Sequence, residues 1–236
     1  MITLANYLYK INPIQMPIRI KTSKPNFKPR NDWFARVQSQ STHRIKFKLP
    51  FPMDKKLLFL DMDETIIARS SHWFYRGKRE FKINNEYIDI RPHLVDFISA
   101  VSTKYHIILF TASYKDRMSQ ILPLLPITFN TTLDRSFTTK GKSNFIHKYK
   151  LPVFKDLNRF NIKLKSTILL DDNPNYFLHS QLNGLKIKPY FGKNDDELLK
   201  YRDILLDIAN SDNVQYTIGH LKMDYKDKFD GTRWIF

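Results

Sequence analysis

The sequence contains no cysteine and no apolar run of the roughly 20 residues that a membrane-spanning helix needs. The first absence excludes disulfide frameworks, cysteine-bound zinc and thiol catalysis, so any metal ion must be held by oxygen or imidazole ligands. No apolar signal-peptide segment follows Met1. Together these absences predict a soluble intracellular protein without a transmembrane segment.

Acidic residues are scarce at the start of the chain. The whole sequence has a formal net charge of +16, and residues 1–50 contain ten Lys and Arg but a single acid, Asp32. Five prolines and the lack of a sustained period predict an extended basic N-terminal arm. Three interpretations stay open for this arm: contact with RNA or a large complex, mitochondrial targeting, or a solvated tail.

Short apolar runs that end at polar residues recur after the arm. They are residues 57–60, 107–110 and 167–170, which end at Asp61, Thr111 and Asp171. Such runs are typical of strands buried on both faces of a parallel sheet. A fourth run, residues 185–188, is weaker and is expected nearer an edge.

Segments with helical periodicity lie between these strands. Their apolar positions are Leu94, Phe97, Ile98 and Val101; Met118, Ile121, Leu122 and Leu125; and, after a cap at Asp195, Leu198, Leu199, Ile204, Leu205 and Ile208. Strands that alternate with helices predict an α/β fold with an open, mainly parallel sheet flanked by helices. Ligands of such sheets bind outside the carboxyl ends of the strands.

Two stretches interrupt the alternation. Residues 68–90 predict a small β-hairpin inserted after the first strand, and residues 126–154 have no assigned element. Trp73, Phe74 and Tyr75 of the insertion are interpreted either as a peptide-binding pocket or as ordinary packing. The expected domains are the arm over 1–50, the α/β domain over 51–211 and a C-terminal extension over 212–236.

Asp61 and Asp63 follow the first predicted strand, within residues 61–65. Alternate side chains project to related sides, so both carboxylates can reach a site above the sheet edge. Two carboxylates in one site repel each other unless a cation intervenes, and hard oxygen ligands suit Mg²⁺. Alone, this pentapeptide is equally consistent with a simple strand-to-helix turn.

Asp171 and Asp172 follow a later strand and, alone, are typical of an ordinary turn. The predicted topology brings them to the same sheet edge as Asp61 and Asp63. Four carboxylates gathered there would be costly without a bound cation, so a cation site is the better interpretation.

Thr111 and Lys155 provide a hydrogen-bond donor and a positive charge. A phosphoryl group in transfer needs both, because its charge is spread over three oxygens. Read singly, each residue is typical of ordinary structure, so their value depends on order and position.

The order of these motifs resembles that of the small C-terminal-domain phosphatases, the FCP1-homology branch of the haloacid dehalogenase superfamily, which act on RNA polymerase II and other phosphoproteins. The segments that carry the resemblance are DMDET (61–65), RP (91–92), FTAS (110–113), KDL (155–157), DDNP (171–174), NGL (183–185) and DDELL (195–199). Between Pro126 and Val153 the stretch is longer and more basic than the family pattern, and only Arg135 is matched.

The resemblance implies a Mg²⁺-dependent phosphoprotein Ser/Thr phosphatase that forms an aspartyl-phosphate. The roles it implies are nucleophile for Asp61, general acid and base for Asp63, Mg²⁺ binding for Asp61, the backbone carbonyl of Asp63 and Asp172, phosphate binding for Thr111 and Lys155, and support for Asp171 and Thr65. An intact carboxylate at Asp63 favours hydrolysis over phosphoryl storage, because a departing alkoxide needs a proton.

Two alternatives remain open. One is a phosphatase-like structural subunit of a large mitochondrial assembly, such as the mitochondrial ribosome, anchored by the basic arm; this makes the mitochondrion slightly preferred over the nucleus. The other is a small-molecule phosphatase of the same superfamily, although an open site suits a protein loop better than a metabolite.

Overall fold

The computed structural model describes residues 46–70, 81–83, 86–141 and 153–224. The first 45 residues of the predicted arm, the aromatic cluster at Trp73, Phe74 and Tyr75, and the last twelve residues lie outside this described part. Within it, no helix combines the length and the apolar character needed to cross a bilayer.

The described part of the chain contains ten strands, four α-helices and five 3₁₀ helices. The strands are β1 (Lys56–Leu60), β2 (Ile67–Ser70), β3 (Phe81–Ile83), β4 (Glu86–Ile90), β5 (Tyr105–Phe110), β6 (Thr131–Leu133), β7 (Thr139–Lys140), β8 (Val153–Phe154), β9 (Thr167–Asp171) and β10 (Gly184–Lys186). The helices are α1 (Leu94–Val101), α2 (Lys115–Ile121), α3 (Glu197–Ile208) and α4 (Val214–Asp224).

Five strands form a central parallel sheet in the order β10-β9-β1-β5-β6. The predicted α/β fold with a mainly parallel sheet is confirmed, and β1 lies in the middle of it. The predicted fourth strand is indeed at an edge, but it is β10 and ends at Lys186 rather than at residue 188. β6 lies in the stretch for which the sequence predicted no element.

Alternate residues of each strand point to opposite faces of the central sheet, and a hydrophobic cluster covers each face. Leu58 and Leu60 of β1 belong to one core cluster, whereas Leu57 and Phe59 belong to another. Residues of all four α-helices join the first cluster, and the second is closed largely by aromatic rings such as Phe160.

The apolar positions predicted for the helices belong to the first cluster or pack against it. Leu199 is the exception: it is partly exposed and does not join the cluster. Asp195 lies two residues before α3 and accepts a hydrogen bond from the Glu197 amide at 3.3 Å. Val214 and Ile218 of α4 are fully buried in the same cluster, so the core continues past the predicted boundary at residue 211. The other predicted boundaries stay predictions.

The predicted hairpin insertion is part of a small antiparallel sheet in the order β2-β4-β3. β3 and β4 form the hairpin, and β2 pairs with the other edge of β4. Glu86 opens β4, opposite Ile83 of β3. The insertion therefore adds a second sheet next to the loop that follows β1.

Replacing Gly184 with alanine is expected to destabilise the domain by about 1–3 kcal/mol, the usual cost of overpacking a core. A Cβ atom at this position would lie 2.1 Å from Cδ2 of Phe177, a buried ring of the second cluster, so that ring must move. Gly219→Ala in α4 is the control, because its Cβ would meet only Leu182 Cδ2 at 3.8 Å and alanine favours the helix. Urea denaturation measures both; a Gly184→Ala midpoint equal to that of the wild type would contradict the packing.

Candidate functional site

Three strands of the central sheet end beside one another at polar residues. Asp61 follows β1, Thr111 follows β5, and Asp171 is the last residue of β9. Because β5 and β9 flank β1 in parallel, these residues lie at one edge of the sheet, where α/β proteins bind ligands. The convergence predicted from the sequence is confirmed for these residues.

The chain turns sharply directly after Asp61. The Met62 carbonyl accepts hydrogen bonds from the amides of the three residues 65–67 at 3.3, 3.0 and 3.2 Å. Glu64 has a φ of 55°, a left-handed conformation that is uncommon for a residue other than glycine. This turn brings the Thr65 hydroxyl back to Asp61, where Oγ1 donates to Oδ2 at 2.9 Å.

Lys155 is fully buried between two carboxylates. Its Nζ lies 2.5 Å from Asp61 Oδ1 and 2.6 Å from Asp171 Oδ2. Burial by itself lowers the pKa of Lys155, but the attraction of Asp171 and Asp61 outweighs burial and raises it. The lysine is therefore a fixed cation that contacts the side chains of both Asp61 and Asp171.

The negative charges of Asp61 and Asp172 are poorly compensated by neighbouring protein groups. Burial, followed by the charges of Asp171 and Asp172, raises the pKa of Asp61 well above its usual range, although Lys155 opposes the shift. Burial and the charges of Asp171 and Glu64 raise the pKa of Asp172 to about 7. The ionised forms of these two aspartates are thus costly with the protein groups alone.

Asp61, Asp171 and Asp172 form a group that fits a metal ion. Each offers one carboxylate oxygen, and these oxygens lie within 4.8 Å of one another. When all three are ionised, the single ammonium of Lys155 leaves two negative charges uncompensated, which a divalent cation would balance. An all-oxygen donor set suits a hard cation. The sequence predicted four carboxylates around a cation at this edge, those of Asp61, Asp63, Asp171 and Asp172, and among the described residues the structure groups three of them without the Asp63 side chain.

The Asp63 side chain lies outside that group and has different neighbours. Its Oδ2 accepts a hydrogen bond from Ser113 Oγ at 2.7 Å, and its Oδ1 lies 2.7 Å from Arg117 Nη1. Thr111 Oγ1 is 3.5 Å from Oδ2, a weak contact at most. The Thr111 hydroxyl also accepts a hydrogen bond from the Ser113 amide at 3.0 Å, so Thr111 and Ser113 in the loop after β5 both adjoin the predicted general acid.

Arg117 and Glu86 were not predicted from the sequence, whereas Ser113 lies in the FTAS segment that carries the family resemblance. Arg117 follows Ser113 by four residues, and this helical spacing is the only local signal that could have pointed to it. Glu86 reaches Arg117 from the inserted sheet, with Arg117 Nε 3.1 Å from Glu86 Oε2. Arg135, the weakly matched arginine, donates from Nη1 to the Ala112 carbonyl at 3.0 Å.

Comparison with known proteins adds three findings. A family model described as NLI interacting factor-like phosphatase matches residues 56–215. The chain is 29% identical over 179 residues to a probable C-terminal domain small phosphatase of Dictyostelium discoideum, covering 72% of this chain and 56% of that protein. It is 24% identical over 176 residues to a human CTD small phosphatase-like protein, covering 70% of this chain and 60% of that protein.

The chain spans roughly half the length of the curated relatives it matches, as the 56% and 60% coverage of these two proteins indicates. Among solved structures, it is similar to a variant of the fission yeast RNA polymerase II CTD phosphatase Fcp1 bound to beryllium fluoride. That similarity has a TM-score of 0.42 and 16% identity, and covers 73% of this chain and 56% of the other. It is too low to bear on function.

Proposed function

Because the chain belongs to the NLI interacting factor-like phosphatase family, as its motifs predicted, we propose that it is a Mg²⁺-dependent phosphatase of phosphoserine and phosphothreonine in proteins. The reaction passes through an aspartyl-phosphate on Asp61. The observation that carries this proposal is the buried Asp61 carboxylate, held from two sides by Lys155 and Thr65.

In the first step an oxygen of Asp61 attacks phosphorus while the bond from phosphorus to the seryl or threonyl oxygen breaks. Lys155 and Thr65 each bind one oxygen of the carboxylate, so its plane is set before the substrate arrives. Such pre-orientation removes part of the entropic barrier of a reaction between two partners. The Lys155 ammonium also offsets negative charge on the phosphoryl oxygens.

Asp63 handles the protons in this mechanism. An alkoxide is a poor leaving group, so the protonated Asp63 side chain gives its proton to the departing oxygen. In the second step the Asp63 carboxylate takes a proton from the water that hydrolyses the aspartyl-phosphate. Asp61 is then free, and inorganic phosphate leaves. The separation of Asp63 from the Asp61 group supports this division of labour.

The metal would be held by Asp61 and Asp172, with the backbone carbonyl of Asp63 and with Asp171 in the same group. When bound, it supplies positive charge that stabilises the phosphoryl oxygens during transfer. The uncompensated negative charge of this buried group supports a divalent ion, and oxygen ligands of this kind favour Mg²⁺ over softer metals.

Removal of Mg²⁺ by EDTA is expected to abolish phosphate release from a phosphoserine peptide, and added Mg²⁺ is expected to restore it. Asp172→Asn should raise the Mg²⁺ concentration for half-maximal rate by at least about tenfold, because even indirect support of a metal contributes that much. Thermal unfolding is a readout independent of activity: Mg²⁺ should raise the midpoint of the wild type more than that of the variant.

Asp203→Asn is the matched control for this experiment, since Asp203 pairs with Arg202 on the partly exposed surface of α3. It should leave the Mg²⁺ dependence unchanged. The proposed function fails if the wild type releases no phosphate from the peptide or from p-nitrophenyl phosphate at any Mg²⁺ concentration.

The structural-subunit alternative has no support from the family match. It depends on residues 1–50, of which the first 45 lie outside the described residues. Contact of the arm with RNA or a large complex, and a mitochondrial location, stay predictions. Fractionation of the protein with and without residues 1–50 tests them. If the arm binds a large particle, the protein should co-migrate with that particle only when residues 1–50 are present.

A further inference from the structure

Asp63 is held by an ion-pair chain that the reaction described above does not use. Arg117 Nη1 lies 2.7 Å from Asp63 Oδ1 and also donates to Ser113 Oγ at 3.2 Å. Ser113 Oγ in turn donates to Asp63 Oδ2 at 2.7 Å. Oδ2 of this carboxylate therefore has a hydrogen-bond partner, whereas Oδ1 has an ion-pair contact with Arg117 but no hydrogen bond among the described residues.

Glu86 binds the other side of the Arg117 guanidinium. Its Oε2 lies 3.1 Å from Arg117 Nε, and it opens β4 of the inserted sheet. Arg117, at the third position of α2, thus connects that sheet to the loop after β1. A planar guanidinium is suited to this task because its donors have fixed directions, which a lysine ammonium lacks.

The chain of contacts is more shielded than an ordinary surface ion pair. The side chains of Asp63 and Arg117 are 15% and 21% exposed, so solvent and salt screen their interaction less. Arg117 Nη2 is also buried, and within the described ranges it has no hydrogen-bond partner. A buried donor without a partner is costly to stability.

We propose that Arg117 is a positioning residue: it holds the Asp63 carboxyl group in the orientation from which it protonates the departing oxygen, and Glu86 holds Arg117. The torsion that rotates a carboxyl group is broad and weakly restrained by itself. Thr111 Oγ1 restrains Asp63 only weakly, because it lies 3.5 Å from Oδ2. The contact of Arg117 with Oδ1 and the Ser113 hydrogen bond to Oδ2 supply the restraint, and this inference rests on the proposed function.

The consequence is a dependence on the leaving group. As the bond from Asp61 to phosphorus forms, the bond from phosphorus to the leaving oxygen breaks, and the Asp63 proton moves to that oxygen. The Asp63 carboxylate left behind pairs with Arg117. A p-nitrophenolate departs without this proton, whereas a more basic phenolate benefits from it. Loss of positioning should therefore affect phenyl phosphate more than p-nitrophenyl phosphate.

The test is kcat/KM of the full chain for these two substrates, which differ by a single nitro group and so bind alike. This ratio reports phosphoryl transfer to the enzyme and excludes hydrolysis of the shared aspartyl-phosphate. We expect Arg117→Gln to lower kcat/KM about tenfold for phenyl phosphate but about twofold for p-nitrophenyl phosphate. The tenfold loss is smaller than the full contribution of a general acid, because Asp63 itself is still present. Arg117→Lys should fall between Arg117→Gln and the wild type. Asp63→Asn defines the full loss.

Glu86→Gln provides a second test that does not depend on the folding of an Arg117 variant. Glutamine has nearly the same size as Glu86, which lies at the partly exposed edge of the site. We expect kcat/KM to fall about threefold for phenyl phosphate, with little change for p-nitrophenyl phosphate. Arg202→Gln, which breaks a comparable pair on α3, is the control and should change neither value.

The outcomes separate the two proposals. Equal losses on both substrates, or no loss on either, in Arg117→Gln and Glu86→Gln would overturn the positioning role while the wild type still hydrolyses both. A wild type that hydrolyses neither substrate with Mg²⁺ would remove the proposed function, and the positioning role with it.

Discussion

Replacement of Asp61 by asparagine is expected to lower kcat for phosphate release by at least about 10⁴-fold, the scale of losing a covalent nucleophile. The amide has nearly the same shape, its one oxygen can still accept the Lys155 hydrogen bond, and its NH2 group can donate to the Thr65 hydroxyl, but it does not attack phosphorus. Because burial and neighbouring charges raise the pKa of Asp61, the ionised carboxylate costs folding energy. The variant should therefore fold at least as well as the wild type without metal.

Two measurements check this result. Acid quenching of the wild type during turnover, followed by mass spectrometry, should show a phosphoryl group on the peptide that contains Asp61, and Asp61→Asn should show none. Thermal unfolding in EDTA should give a midpoint no lower than that of the wild type. If the variant keeps about a tenth of the wild-type kcat, which is far more than the loss of a covalent nucleophile allows, the nucleophile lies elsewhere.

Replacement of Lys155 by methionine is expected to lower kcat about 10²–10³-fold, the usual effect of removing one group that stabilises developing charge. It should also destabilise the metal-free protein by about 3–5 kcal/mol, because breaking a buried pair leaves charge uncompensated. One ammonium here serves two carboxylates, Asp61 and Asp171. Mg²⁺ should recover part of the stability, since it also compensates the group.

Lys200→Met is the matched control, because Lys200 makes a single, partly exposed pair with Glu197. It should change stability by less than about 1 kcal/mol, as exposed pairs do. The double variant Lys155→Met with Asp61→Asn should be more stable than Lys155→Met alone, since one unpaired carboxylate is gone. Equal stability of Lys155→Met and the wild type in EDTA would show that the lysine does not compensate this group.

The strands that carry the site could be predicted because their signal is local. Residues 57–60, 107–110 and 167–170 are apolar except for Thr167, as is typical of strands buried on both faces, and each matches a strand of the central sheet. β6 has the residues Thr131–Leu133 and is only half buried. Its strand conformation depends on pairing with β5, which composition does not reveal. Propensity in strands depends strongly on such context.

By itself, the sequence determined the family and the parallel sheet, and it predicted most of the candidate site: Asp61, Asp171 and Lys155 follow from apolar runs and motif order. The tertiary structure alone decided that the Asp63 side chain lies outside the carboxylate group and that Arg117 joins Asp63 to Glu86. The physical reason is that apolar periodicity reports burial and strand ends within one element. A contact between side chains of different elements depends on how those elements pack, and no local pattern records it.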